Sequence, residues 1–467
     1  MKSTEFVCQA CGASHTRWVG KCPRCEGWNT LVEERVPRGK GAGGARSGGI
    51  SVSGTGGAAV ALDEALSQET VRVSTGMTEI DRVLGGGLVE GSVVLLGGEP
   101  GVGKSTLLGQ LVSNIATAGS TRGVLYVTGE ESATQVAGRL RRLGVPDTAP
   151  LRIVASGELE DLEGAVQKHD PGVVAVDSVQ TLRAADLESS AGSVGQLREV
   201  TARLVTMAKQ QRRTVLLVGH VTKDGSLAGP KVLEHLVDVV VSFDGQRSGG
   251  PRLLRTVKNR FGASGELAVL EMTREGLREV PDPSALFLAE RPKDVPGSVV
   301  VVSADGARPL LLEVQALVTP SAMPSPRRVA TGVDGTRLAI LAAVLAQRAG
   351  LSVRDRDVFV SVAGGASIDE PASDLAVACA IASSVVELAL PNDLAVFGEV
   401  GLAGEVRAVP RCTPRLEEAL RLGFKRALIP RANVERGEAP AGISVHGVSH
   451  AREVAAWIER KATEGAR

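Results

Sequence analysis

The chain has 467 residues, 43% of them apolar and 2% aromatic, with 53 basic against 53 acidic side chains and a formal net charge of zero. That length is too great for a single core and predicts about three domains. The charge balance neither supports nor excludes a polyanionic partner, and it confines any such contact to a local patch. The N-terminus shows no basic-then-apolar leader. The longest apolar stretch, residues 375–390, is interrupted by Glu387 and too short to span a bilayer comfortably. A core helix, no membrane contact and a cytoplasmic location are expected.

Four of the six cysteines fall in the first 25 residues as Cys8-x-x-Cys11 and Cys22-x-x-Cys25. Two such knuckles read as a four-cysteine site for structural Zn²⁺, each presenting two thiolates from one tight turn. So short a segment cannot bury enough surface to fold alone, so the metal would supply the folding energy. Disulfides are disfavoured by compartment, and a redox dithiol by the lack of a thioredoxin-like context. Cys379 and Cys412, in apolar or mixed surroundings, read as buried small hydrophobes. A zinc ribbon over 1–30 is therefore expected, followed by a flexible Gly-rich linker over 31–68.

From 69 to 277 strand-like and helix-like segments alternate. Apolar runs at 92–96, 124–127, 151–154, 173–176 and 214–218 read as strands buried on both faces, which argues for a mostly parallel sheet covered by helices. Between the first strand and an apolar helical pattern lies Gly98-Glu99-Pro100-Gly101-Val102-Gly103-Lys104-Ser105-Thr106, a complete G-x-x-x-x-G-K-[ST] phosphate loop. Its glycines let backbone N–H groups face the phosphates of ATP. Lys104 neutralises their oxygens, and the Ser105 hydroxyl can ligate Mg²⁺.

The run Gly172–Val176 ends in Asp177, the pattern that sets a carboxylate beside Mg²⁺. The strand at 124–127 leads into Glu130-Glu131. Of these, Glu130 is expected to polarise the attacking water, the alternative being that both acids only cap the next helix. His220 ends another strand and is either a γ-phosphate sensor or a structural histidine. In Lys258-Asn259-Arg260-Phe261-Gly262 the two cations share one face if the segment is extended. They suit insertion into a neighbour's nucleotide site, although an exposed basic turn explains the pentapeptide equally well. Segments 184–197 and 222–233, the second with Lys223 and Lys231, could track a phosphate backbone by ionic, sequence-indifferent contact.

Residues 278–467 restart with β-rich runs and continue as an independent α/β domain. Together the four-cysteine ribbon, the Ser74-Thr75-Gly76 and Leu84-Gly85-Gly86-Gly87 lead-in, the phosphate loop and the KNRFG pentapeptide resemble the bacterial RadA (Sms) family over almost the whole chain. The resemblance implies an α/β architecture of zinc ribbon, RecA-like P-loop ATPase core and C-terminal domain similar to the Lon protease domain. The last match rests on Asp369-Glu370-Pro371-Ala372-Ser373 and on the run from Gly398 to Val406.

The same resemblance implies a DNA-dependent, helicase-like ATPase of homologous recombination and DNA repair. It would form a homohexamer on single-stranded DNA, promote branch migration of branched intermediates and partner a RecA-type recombinase. Lys104, Ser105 and Asp177 then take the nucleotide and Mg²⁺ roles, Glu130 the catalytic glutamate, and Lys258 and Arg260 act across the subunit interface. One departure matters. Where Lon-type peptidases carry their serine, this chain has Ala372, and Ser373 is one position out of register, about 100° round a helix. No lysine occurs in Arg411-Cys412-Thr413-Pro414, so the peptidase dyad is absent. The domain is expected to serve assembly or DNA contact, with Arg327, Arg328 and Arg337 as candidate phosphate contacts. The rival readings are an ATP-dependent protease and a non-enzymatic adaptor switched by nucleotide.

Overall fold

The computed structural model describes residues 3–8, 13–24, 27, 28, 30–36, 62, 71–119, 122–220, 232–245, 250–304 and 308–465. Cys11, Cys25, Lys223 and Lys231 lie outside the described residues, as does the expected linker apart from 31–36 and 62. The chain divides into two units, Met1–Glu279 and Val280–Arg467.

At the N-terminus, β1 (Ser3–Cys8), β2 (Ser14–His15) and β3 (Leu31–Val36) form an antiparallel sheet in the order β2-β1-β3. Because β3 pairs with β1 from Leu31↔Cys8 to Val36↔Ser3, the ribbon sheet continues past residue 30. Cys8, Cys22 and Leu31 are buried together against Phe6, Ala13 and Val19.

A short pair, β4 (Arg72–Val73) with β5 (Leu88–Val89), leads into the main sheet. Its strands are β6 (Val93–Gly98), β7 (Val124–Thr128), β8 (Leu151–Ala155), β9 (Val173–Asp177), β10 (Thr214–His220), β11 (Val239–Gly245), β12 (Arg252–Asn259), β13 (Leu267–Thr273) and β14 (Gly276–Glu279). Among the described residues they run in the order β14-β13-β12-β11-β6-β10-β9-β7-β8. The strands from β11 to β8 in that order are parallel, and β12, β13 and β14 add on antiparallel.

The central parallel strands are mostly apolar because each face has its own helical cover. Val94 and Leu96, Val124 and Tyr126, and Leu216 and Val218 join one core with Leu107, Leu111 and Ile115 of helix Lys104–Thr117. Val93 and Leu95, Leu125 and Val127, and Val215 and Leu217 join the other, with Leu162 of helix Leu159–His169 and Val200 and Leu204 of helix Val194–Gln211. The two-residue period of a strand deals alternate side chains to the two cores.

The second unit is built on β15 (Ser298–Ser303), β16 (Leu310–Pro320), β17 (Arg328–Thr331), β18 (Arg356–Val362), β19 (Leu394–Val396), β22 (Arg426–Pro430) and β23 (Ser444–Val448), with a small β20 (Glu399–Val400) and β21 (Val406–Arg407) pair beside them. The sheet order is β17-β18-β16-β15-β19-β22-β23. The apolar stretch at 375–390 forms helix Asp374–Val386, with every residue from Asp374 to Ser383 buried. Among the described residues no helix is long and apolar enough to cross a membrane. Cys379 and Cys412 are both buried.

Candidate active site

The phosphate loop joins the end of β6 to helix Lys104–Thr117, and backbone geometry dictates its glycines. A Cβ on Gly98 would lie 2.3 Å from the Phe243 carbonyl oxygen, so only glycine fits against β11. Gly103 stands at φ 114°, in the left-handed region that L side chains avoid. No side chain caps this helix, which leaves its first N–H groups available to an anion. Lys104 is 4% exposed. Its Nζ donates to the carbonyls of Gly98 at 2.6 Å and Glu99 at 2.8 Å. Burial lowers its pKa, while the carboxylates of Asp177, Glu130 and Glu99 favour the charged form.

Parallel register assembles the rest of the site. His220 pairs with Gly98, and Thr128 with Asp177, so the C-terminal ends of four strands gather at the sheet edge that carries the loop, β7 and β9 ending about two residues behind β6 and β10. Ser178 Oγ donates to Glu130 Oε1 at 3.2 Å, and His220 Nε2 lies 3.9 Å from the same oxygen. Thr128 Oγ1 accepts from the N–H groups of Glu130 and Glu131, fixing the turn. Ser132 and Gln135 then cap helix Ala133–Arg142 with a reciprocal box. Glu131 pairs with Arg139 at 2.7 Å, whereas Glu130 stays on the loop side with Ser178 and His220. The two adjacent acids thus have different surroundings.

Burial, with the nearby Lys104 charge, holds the His220 pKa below the ordinary 6.5. The native state therefore binds this proton more weakly than the unfolded chain does. Its contribution to stability is complete above about pH 6.5 and declines as pH falls through the lower folded value. The melting temperature of wild type minus that of His220→Asn should accordingly fall between about pH 7 and pH 5. A pH-independent difference would assign no such titration to His220.

Lys258 and Arg260 occupy a different edge. Asn259 pairs with Val239, and Val239 with Val94 at the start of β6, so this segment sits by the N-terminal ends of the parallel strands. Gly98 is four residues further along β6, about 13 Å of strand rise. Lys258 Nζ donates to the carbonyls of Glu234 at 2.6 Å and Val237 at 2.8 Å. Arg260 Nη1 meets Asp238 Oδ1 at 3.0 Å, and Lys209 holds the same carboxylate from 3.1 Å. Asp238 is 1% exposed, whereas the Arg260 side chain is half exposed.

In the ribbon, the N–H of Cys8 donates to Ala13 and that of Cys22 to Gly27, each at 2.9 Å. Each bond spans five residues from the first cysteine of its CxxC segment, and the two cysteines share one small core. Such donors fit a thiolate-held metal.

In the second unit, Ala372 and Ser373 are buried, and Ser373 Oγ donates to the Glu370 carbonyl at 2.9 Å. Beside this turn, the fully buried Arg415 forms two bonds to the Glu370 carboxylate, at 2.8 and 2.6 Å. A buried ion pair therefore stands two residues before Ala372 in the chain. Arg337 is bound to buried Asp374 and to the Val400 carbonyl. Arg328 donates to the carbonyls of Arg327, Val353 and Arg356. Both guanidinium groups are engaged inside the fold, and pulling Arg337 away would strand a buried carboxylate. The Arg327 side chain, by contrast, is exposed.

The fold and the loop at its strand ends define a P-loop nucleotide-binding protein with a metal-ribbon module and a second α/β domain. Family models agree along the chain: an AAA domain over residues 62–226, a rubredoxin metal binding domain over 6–33, and subunit ChlI of Mg-chelatase over 333–433. The chain is 49% identical to the DNA repair protein RadA of Pseudomonas aeruginosa over 95% of its own length and 96% of the relative's. It is 49% identical to that of Escherichia coli over 95% of each chain, and 47% identical to that of Aquifex aeolicus over 96% and 98%. The chain belongs to the family of the DNA repair protein RadA.

Proposed function

We propose that this chain is an ATP-hydrolysing motor of DNA repair that encircles single-stranded DNA as a homohexamer and drives branch migration during homologous recombination. The observation that carries the reading is the convergence of the phosphate loop, Asp177, Glu130 and His220 on one edge of the sheet. Residues 98–106 would hold the nucleotide, with Lys104 on its β/γ oxygens and Ser105 and Asp177 on Mg²⁺. When bound, Mg²⁺ supplies charge neutralisation on the phosphoryl group being transferred. Glu130 orients and deprotonates the attacking water. Lys258 and Arg260, too far along the strands to serve their own loop, complete a neighbouring subunit's site. Lys223, Lys231 and Arg327 contact DNA phosphates, and a RecA-type recombinase is a natural partner. Zn²⁺ held by Cys8, Cys11, Cys22 and Cys25 keeps the ribbon folded.

ATP turnover measured with and without single-stranded DNA tests this. Stimulation by DNA, and a loss of ~10²–10³-fold in Lys104→Ala, are expected. The log–log salt slope of strand binding should flatten by about 0.7 in Lys223→Ala. Unstimulated, Lys104-independent turnover would defeat the motor, and no turnover under either condition would favour a nucleotide-switched adaptor.

A further inference from the structure

Tyr126 is the only tyrosine of the chain and is fully buried, yet its hydroxyl emerges at the candidate hydrolysis site. It sits on β7 opposite Ala175 of β9, so its ring lies under the strand end that carries Asp177. Tyr126 Oη donates to Asp177 Oδ2 at 2.8 Å and accepts from Arg139 Nη2 at 2.9 Å. The Arg139 guanidinium also faces the Tyr126 ring, 5.9 Å from its centroid, and its other arm binds Glu131 at 2.7 Å. One bonded chain therefore runs Asp177–Tyr126–Arg139–Glu131, and Glu131 is the backbone neighbour of Glu130.

We propose that Tyr126 and Arg139 are positioning residues for ATP hydrolysis, holding the Mg²⁺-side carboxylate of Asp177 and the water-activating Glu130 at a set separation. This rests on the motor reading above. The tie takes up one carboxylate oxygen of Asp177 and leaves the other for the metal shell. Arg139 anchors the turn from the other end, since its helix begins at the Ser132 cap directly after the two glutamates. Tyr126 is buried, and the Arg139 guanidinium is taken up by Tyr126 and Glu131. Their loss should slacken the geometry of the reacting groups rather than remove a binding contact.

The test uses the full chain with Tyr126→Phe, Arg139→Lys and Arg139→Met, reading steady-state turnover against ATP and against Mg²⁺. In Tyr126→Phe, kcat should fall by about tenfold and the half-saturating Mg²⁺ concentration should rise several-fold, with KM for ATP within about twofold of wild type. Arg139→Met should behave alike and Arg139→Lys should recover part of the loss. The lysine variant, at a partly exposed position, keeps the test open if Tyr126→Phe folds poorly. Turnover and Mg²⁺ dependence unchanged in Tyr126→Phe would overturn the proposal, as would a kcat loss in which the Mg²⁺ dependence does not move. The parent reading fails differently, by an absence of turnover in wild type.

Discussion

Equimolar mixing of Lys104→Ala and Arg260→Ala chains restores ATP turnover that neither variant shows alone, to about a quarter of the wild-type rate if they mix at random in one ring. Each mixed interface of the right polarity pairs an intact phosphate loop with an intact Arg260. Arg260→Ala alone should lose ~10³-fold, the range typical of an arginine supplied from a neighbour. The reason lies in register: Arg260 stands by the beginning of β6, whereas the phosphate loop stands at its end. The substitution is also clean, because Lys209 still neutralises Asp238 after Arg260 is gone. Turnover assays on the two variants, separately and mixed, decide it. Mixing that yields only the average of two inactive preparations would remove the shared site.

The second large effect concerns stability. Arg415→Met should destabilise the C-terminal unit by ~3–5 kcal/mol, because it strands the Glu370 carboxylate beside a dry core. Arg415 is 1% exposed and stacks over Phe397 at 5.5 Å, so nothing else can take its place without rearrangement. Burial works to raise the Glu370 pKa, but the Arg415 guanidinium and the Ala304 N–H outweigh it and hold the value below 4.5. A depressed carboxylate contributes stability that is present above its unfolded pKa and lost as pH falls through the folded one. Denaturant melts of wild type should therefore weaken in acid more steeply than those of Arg415→Met. Replacing both partners by apolar residues should recover much of the loss. If Arg415→Met melts like wild type at neutral pH, the pair has no such role.

The phosphate loop and the acid at the end of β9 were legible because their chemistry is local. A loop that must turn its N–H groups to phosphate needs glycines at fixed offsets, and an apolar run ending in aspartate, common by itself, gains its meaning from following such a loop. Five of the six parallel strands were legible from their apolar runs, β11 being the exception. The antiparallel addition β12–β14 was not, because mixed strands such as Gly276–Glu279 carry no such run. The engagement of Arg328 and Arg337 was not legible for a related reason: it depends on carbonyls and a carboxylate far along the chain. Tyr126 carried no motif at all; a single tyrosine in an apolar strand reads as core.

Metal-ribbon spacing and the nucleotide-binding class can be read from neighbours in the linear chain, since each depends on residues close to one another in sequence. Folding alone brought Tyr126 and Arg139 to Asp177, drew Asp238 between Lys209 and Arg260, and closed Arg415 onto Glu370. Those partners are separated by tens of residues, and each is satisfied only by the particular strand order and register that the packed core selects. Burial then makes the selection costly to undo, because a charge or hydroxyl removed from water depends on the partners that the fold provides.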